Sequence, residues 1–446
     1  MKNSCCKYLL RALLLLLITG ISMAGCNPFS PQNKTIKCIV RVDMDAMIRD
    51  MANDPADSGL NEAIADAGKA AGGADTDHIA LFAAAYMSAH PGGHLAALFV
   101  KPEQHDITLN STDDAVIALL ETQAHAAVQQ TCSVLQKRLS KVGDGSSAVV
   151  GDGKTGKITV TVKTTYSAER LKKYLEKKGE IAFYETYKNE ELLPVFADID
   201  GSMGGGIQEP KKDIDTSHND AVGGDTGSLA QYVNKGTGET KGRTKKEPGS
   251  TSLLHVLFAN INQANEVIKG PIVGYIRARD TGLARKILNG KIASTKLPQN
   301  AHIVYAKFRG IEADTSSILW VYAIKMPPPG ASSIITTDDL TGAKADVTPA
   351  TKLPCVLLRM TPQGAVKWKK LTGDNIGNFI AVMVDGQILS CPRVDNEIRG
   401  GNTEITGGFT QEEAQDMANS LSCGRLPFPV TVTESGVTNK GEEKSR

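Results

Sequence analysis

Apolar and polar residues alternate in two well-separated stretches, TIKCIVRVD (Thr35 to Asp43) and KITVTVK (Lys157 to Lys163), and a period of two predicts strands. Between them the period lengthens. Ala-rich segments around Asp45 to Met51, Gly59 to Ala71 and Asp77 to Ala89 predict short helices. Ser111 or Thr112 can cap a longer helix from Asp113 to Lys141, whose buried stripe includes Val116, Leu120, Val128, Leu135, Leu139 and Val142. SAERLKKYLEKKG then predicts a helix stopped at Gly179, and EIAFYETY a further strand. Helices and strands in this order, without regular βαβ spacing, predict an α+β fold and not a doubly wound sheet.

Periodicity is lost from Asp198 to about Ser250, where the chain is rich in glycine and charge and predicts a flexible linker. It resumes with PIVGYIRARD, a helix TGLARKILNG, and strands around His302 to Phe308 and Ile318 to Lys325. The last hundred residues carry the sharpest signals. LPCVLLRM predicts a strand, and Thr361 with Pro362 the N-cap and first residue of a helix. FIAVMVDGQILSCP predicts a hairpin turning at Asp385-Gly386, and NTEITGGF a strand after it. Thr410 and Glu413 form a capping box, with Ala414, Met417, Ala418 and Leu421 at helical spacing. Gly424 supplies a left-handed stop and Pro427 prevents continuation.

The front of the chain changes the picture. Lys2, Lys7 and Arg11 precede ALLLLLITGISMAGC, a basic and then apolar run too short to span a bilayer, which takes about 20 apolar residues. Met23-Ala24-Gly25-Cys26 is similar to a bacterial lipobox, so Cys26 is the expected lipid attachment point; a plain secretory signal and an uncleaved anchor are the alternatives. Acyl chains would hold the protein at a membrane, since each buried methylene contributes about 0.8 kcal/mol. Export implies an oxidising compartment. Cys38, Cys132, Cys355, Cys391 and Cys423 have no zinc spacing and are expected as small buried thiols, with one bridge among the last three as the alternative.

Charge and motifs exclude several classes. Lys+Arg 50 against Asp+Glu 49 supplies no field for a phosphate backbone, and aromatics at 5% argue against base stacking, so no nucleic-acid partner is expected. Gly153-Lys154-Thr155 ends a relaxed phosphate-loop pattern, but a strand follows where a helix N-terminus is required. Asp198, Asp200, Ser202 and Glu209 stand at EF-hand offsets with Met203 in place of the turn glycine. His90 and His94 are separated by Pro91-Gly92-Gly93, which breaks the helix a zinc pair needs. No nucleophile motif is present. The expectation is therefore a protein that is not an enzyme, with no cofactor and no metal.

One long stretch carries a family resemblance. NIGNFIAVMVDGQILSCPRVDNEIRGGNTEITGGFTQEEAQDMANSLSCGRLPFPV resembles the end of the extracytoplasmic P1 domain of SecD, a membrane subunit of protein export, especially in its fused SecD–SecF form. Asp385, Gly386, Pro392, Thr406, Gly408, Phe409, Glu413, Ala414, Ala418, Leu421, Gly424, Leu426, Pro427 and Pro429 match the family pattern. VLQKRLSKVG, the Ile158 to Tyr187 stretch and PIVGYIRARDTG resemble the rest of that domain.

The resemblance implies two lobes, a ferredoxin-like base and a mixed α/β head, with Leu426-Pro427-Phe428-Pro429 as the hinge between them. The expected layout is a lipoprotein signal peptide at 1–25, a tether at 26–34, an N-terminal strand and helical segment at 35–110, and a base-like part at 111–197. A Gly-rich linker follows at 198–250, a central α/β insertion at 251–315, a head-like part at 316–425, a return strand at 426–435 and a disordered tail at 436–446. In the family this strand leads to membrane helices; here GVTNKGEEKSR follows, so the expectation is a domain without the proton-coupled membrane part, moored by lipid. The expected function is noncatalytic assistance of protein export from the cell envelope, at a membrane facing the periplasm or extracytoplasmic space. Its expected partners are exported unfolded polypeptides and Sec translocon components. A cell-envelope adaptor lipoprotein is the alternative, and an enzyme with an unrecognised site the remote one.

Overall fold

The computed structural model describes residues 33–73, 75–101, 106–203, 253–262, 264–307, 318–328 and 335–438. The signal segment, Cys26, the tether to residue 32, most of the Gly-rich stretch and the tail from 439 lie outside the described residues.

In chain order the first elements are β1 (Lys34–Val42), α1 (Met44–Met51), α2 (Ser58–Ala71), α3 (His78–Ala89), α4 (Ala96–Phe99) and α5 (Asp113–Val142). Then come β2 (Ala148–Asp152), β3 (Lys157–Thr164), α6 (Ala168–Leu175), β4 (Ile181–Glu185) and α7 (Asn189–Ser202). After the Gly-rich stretch follow β5 (Leu257–Phe258), β6 (Ile272–Arg277), α8 (Thr281–Leu288), α9 (Lys291–Ser294), β7 (Ala301–Lys307) and β8 (Ile318–Lys325). The last are β9 (Ile335–Thr336), β10 (Leu340–Val347), β11 (Pro354–Met360), α10 (Pro362–Asp374), β12 (Ile380–Val384), β13 (Gln387–Ser390), β14 (Asn402–Ile405), α11 (Gln411–Ser422) and β15 (Val430–Thr438). The fold is α+β.

β1 buries Ile36, Cys38, Val40 and Val42 on one face and leaves Lys37 in solvent, the alternation of a strand covered on one side only. It pairs antiparallel with β15 and with β3, giving the sheet order β15-β1-β3-β2. With α5 and α6 on the buried face, β1-α5-β2-β3-α6-β15 is a ferredoxin-like unit carrying two insertions. The first insertion is α1 to α4. Its first three helices each open on an aspartate, Asp43, Asp57 or Asp77, whose carboxylate accepts a first-turn N–H. Met47, Leu60, Phe82 and Phe99 share one core with α5 and the sheet, so the parts expected separately at 35–110 and 111–197 pack as one body.

The second insertion runs from β4 to α11 and corrects the remaining boundaries. β4 lies between β12 and β9, in the order β13-β12-β4-β9, and Ile181 and Phe183 enter the head core. The base therefore ends at α6, because the alternating apolar residues of β4 find their partners in the head. β8, inside the expected head at 316–425, is an interior strand of a separate sheet, β5-β6-β8-β7. α7 continues past Asp198 into the expected linker, since Leu192, Phe196 and Ile199 bury one helix face against that sheet. Leu254 N–H donates to Asp200 at 3.1 Å and fixes its last turn. β15 continues past residue 435 to Thr438, opposite Thr35, into the segment expected as tail.

β12 explains its unbroken apolar run. Ile380, Val382 and Val384 face the head core with Trp368 and α11, while Ala381 packs on Val304, Ala306, Tyr322 and Ile324 of the neighbouring sheet. A strand covered on both faces has no polar alternation to show. A fourth sheet, β10-β11-β14, completes the head, and Ser422 at the end of α11 exchanges hydrogen bonds with Ala343 of β10 at 2.9 and 2.8 Å.

Ala381 is fully buried between two sheets. Ala381→Leu is expected to destabilise the protein by about 1–3 kcal/mol through overpacking, whereas Val366→Ala, at a side chain 70% exposed, should change stability by less than about 0.5 kcal/mol. Denaturant melts of the two variants compare them.

Candidate functional site at the junction of base and head

The chain leaves the base through residues 176–180 and returns through 423–429, and the two segments touch. Leu426 N–H donates to Lys178 C=O at 2.9 Å. Gly179 has φ +72°, and a Cβ there would lie 2.7 Å from Arg138 Nη2, 2.9 Å from Ser420 O and 3.1 Å from Gly424 O. The sequence predicts Gly179 as a helix stop. The structure ends α6 at Leu175 and uses Gly179 for this close passage.

Arg138, on α5, is fully buried. Its Nη1 donates to Leu175 O at 3.1 Å and to Lys177 O, and its Nη2 donates to Lys178 O at 3.0 Å. Its Nε has no partner among the described residues. Burial pulls the guanidinium below its ordinary pKa. The head holds the same segment from its own side. Asp385 and Gly386, at φ 50° and 77°, form the two-residue turn of the β12–β13 hairpin. Asp385 N–H donates to Glu180 O, and Glu180 N–H donates to Asp385 Oδ1, both at 2.9 Å. Ile181 N–H donates to Thr337 Oγ1 at 2.8 Å, and that hydroxyl donates to Gly179 O at 3.2 Å. Burial pushes the Asp385 carboxyl up, against the opposing pull of Glu180 N–H and the Lys177 and Arg138 charges.

A second contact closes the outer side. Arg170 of α6 donates through Nε and Nη2 to the Asp416 carboxylate of α11 at 3.1 and 3.0 Å. Tyr166 OH donates to the same carboxylate, and the guanidinium lies 3.9 Å from the Tyr166 ring centroid. Burial, reinforced by Asp416, pushes the Tyr166 phenol well up. This clasp joins a base helix to a head helix through polar groups around a buried carboxylate.

Of the residues singled out in the sequence, the junction gathers Asp385, Gly424 and Leu426. Leu426 is buried in the base core, Phe428 packs against it, and Pro429 O accepts from Asp43 N–H at 2.9 Å. Pro427 lies half-buried between them. Gly386 sits at the exposed side of the turn, and Pro392 O accepts from Ile380 N–H at 3.1 Å at the far end of β12. Thr406, Gly408, Phe409 and Glu413 lead into α11, where Glu413 completes the capping box with Thr410 and Phe409 is buried in the head core. Cys26 lies outside the described residues. Arg138, Arg170, Tyr166 and Asp416 were not singled out, and Gly179 was read only as a helix stop. Arg138 falls three residues after Leu135 on an apolar helix stripe, and an arginine placed there was the available signal.

The discounted motifs have plain structural roles. Gly153-Lys154-Thr155 lies in the β2–β3 hairpin turn. Asp198 sits on α7, paired with Lys296. The His90 ring stacks on Tyr86 at 4.6 Å. Among the described residues, Cys38, Cys132, Cys355, Cys391 and Cys423 are free thiols, and no group of three or more His, Cys, Asp and Glu could hold a metal.

Gly179→Ala combines a left-handed backbone with contact on two carbonyls, so it is expected to cost at least about 2 kcal/mol in a denaturant melt. For Asp385 the raised pKa fixes the sign. The folded state favours the neutral carboxyl, so this contribution is present at acid pH and lost as pH rises through the raised value. Asp385→Asn keeps the acceptor and should match or exceed the parent's stability near pH 7, the difference vanishing toward about pH 4. Asp385→Ala loses the acceptor and should be less stable by about 1–3 kcal/mol at both. Melts across that pH range distinguish them.

Residues 328–428 match a family model described as the SecDF P1 head subdomain. The protein translocase subunit SecD of Rhodothermus marinus is 25% identical over 396 residues, 89% of this chain and 60% of that protein. SecD of Acidaminococcus fermentans is 38% identical over 104 residues, 23% of this chain and 25% of that protein. The chain thus spans less than two thirds of either relative. A crystal structure of SecDF in a super-membrane-facing form aligns with 98% of this chain and 35% of its own, at 15% identity and TM-score 0.37. A structure of SecDF, a membrane component that enhances protein export, aligns with 70% of this chain and 92% of its own, at 18% identity and TM-score 0.34. The chain is therefore SecD P1-like, residues 328–428 matching the head subdomain of that domain, and no helix among the described residues is long and apolar enough to cross a membrane.

Proposed function

We propose that this chain serves protein export as a noncatalytic factor that engages unfolded polypeptide outside the cytoplasm, alongside Sec translocon components, and is moored to a membrane by lipid on Cys26. The supporting observation is the junction. The head is an insertion joined to the base by two touching segments, and polar contacts between Arg170, Tyr166 and Asp416 hold its outer side. Breaking that clasp frees the head to tilt about residues 176–180 and 426–429, with the bending concentrated beside Pro427 and Pro429, whose φ angles are fixed. A head that tilts while its grip stays intact can hold an extended chain through a movement.

Photo-crosslinkers at the exposed head positions Gln363 and Asn396 test the reading in cells. Many exported, unfolded chains should be captured. Capture of one folded protein would point to an envelope adaptor instead. Asp416→Ala should speed amide exchange in residues 176–180 by about tenfold or more while the base sheet stays protected. Labelled acyl chains should enter the parent and not Cys26→Ser; equal labelling of both would remove the mooring.

A further inference from the structure

β7 is the outermost strand of β5-β6-β8-β7; β13 of the head hairpin lies close against it without a ladder, and residues 302–305 and 307 line a cleft of about 360 Å3 there. Met326 N–H donates to Asn300 O at 2.7 Å at the start of the β7–β8 ladder, whose register then runs without a bulge from Ala301↔Lys325 to Lys307↔Leu319. In an antiparallel pair the bonded positions alternate. Residues 302, 304 and 306 therefore bond to β8, and the main-chain groups of Ile303 and Tyr305 point away from it, into the cleft. No backbone hydrogen bond of Ile303 or Tyr305 on that side reaches a described residue.

The walls define what fits. On one side stand Thr281 and Arg285 of α8; on the other, Met383, Gly386 and Gln387 of the head hairpin. The charged groups among the lining residues are Arg285 and Lys307, with the titratable His302, and no carboxylate is among them. Neither Arg285 nor Lys307 makes an ion pair with a described residue. Lys307 shares its strand face with Ile303 and Tyr305, the face that α8 covers, so both cations lie on the same side of the edge.

We propose that an extended, acidic segment of unfolded polypeptide adds to β7 as a further strand, its acidic side chains at alternate positions facing Arg285 and Lys307. Main-chain bonds to Ile303 and Tyr305 would supply sequence-independent grip, and the two cations the preference. The inference rests on the reading that the protein engages unfolded chains, and it names where and in what form. It also places the occupant against Gly386, beside the Asp385 turn that holds Glu180 at the junction.

The test uses the full chain and fluorescence anisotropy with a labelled ten-residue peptide in which Glu alternates with Val. One control carries Lys for Glu, a second is N-methylated at alternate residues, and a longer unfolded polypeptide of mixed composition reports the wider activity. The acidic peptide should bind, and each control peptide should bind at least about tenfold more weakly. Arg285→Glu with Lys307→Glu should reverse the preference toward the Lys peptide. Tyr305→Pro removes an outward N–H without touching the ladder to β8 and should weaken the acidic peptide alone; melts establish that both variants fold. If the acidic peptide is indifferent to N-methylation and to charge reversal while the long polypeptide binds, the edge is not the site and the export reading stands. If the long polypeptide fails to bind as well, both fall.

Discussion

A guanidinium withdrawn from water needs acceptors for its donors, and a strand crossing between two bodies needs donors for its carbonyls. Arg138 meets both needs at once. Buried on α5, it takes the carbonyls of Leu175, Lys177 and Lys178 just where the chain leaves the base. That segment is neither helix nor sheet, so its polar groups have no ladder to join. Without Arg138 on one side and Asp385 and Thr337 on the other, residues 176–180 would be a half-buried loop with unmet polar groups. The position of the head depends first on this arrangement, because the return segment through Leu426 rests on the same stretch of chain. An arginine is suited to it: a lysine offers one point charge, not a fork spanning successive carbonyls.

Much of the fold was legible because it follows local rules. Strict alternation marked β1 and β3, the Asp385-Gly386 pair marked the hairpin, and Thr410 with Glu413 marked the start of α11. Partnership was not legible. β4 reads as a strand of the base by sequence order, but its neighbours β9 and β12 come from beyond the Gly-rich stretch. β8 reads as head by position and belongs to another sheet for the same reason. α7 was hidden because Gly201 and two aspartates gave its last turn a loop-like composition, while Phe196 and Ile199 supplied the burial that decides it. At the junction, the residues that match a family pattern were found and the residues they touch were not. Asp416 lies on a second face of α11, apart from the apolar stripe, and that face shows its purpose only when Arg170 stands opposite.

The head and the central sheet are more tightly joined than head and base. Ala381, Ile388, Val304, Ala306, Tyr322 and Ile324 form a shared apolar layer, and Tyr187 N–H reaches Ala323 O at 2.8 Å to continue the link at the edge. Apolar layers of this kind separate only at a large cost in exposed area, whereas Arg170 and Asp416, once parted, regain hydration for the bonds they lose. A tilt of the head would therefore carry the central sheet with it as one rigid piece, and any occupant of the β7 edge would travel along.

β1 lies between β3 and β15, and Thr35 pairs with Lys163 on one side and Thr438 on the other. The second of these partners is nearly the whole described chain away. Such a sheet has a high contact order: the loop that closes it contains the entire head, so its last ladder is entropically slow to form. During synthesis or passage through a pore, the first strand must wait with one edge bare until the final one arrives. The domain that is proposed to attend unfinished chains is thus itself left unfinished longest at the strand where its described part begins.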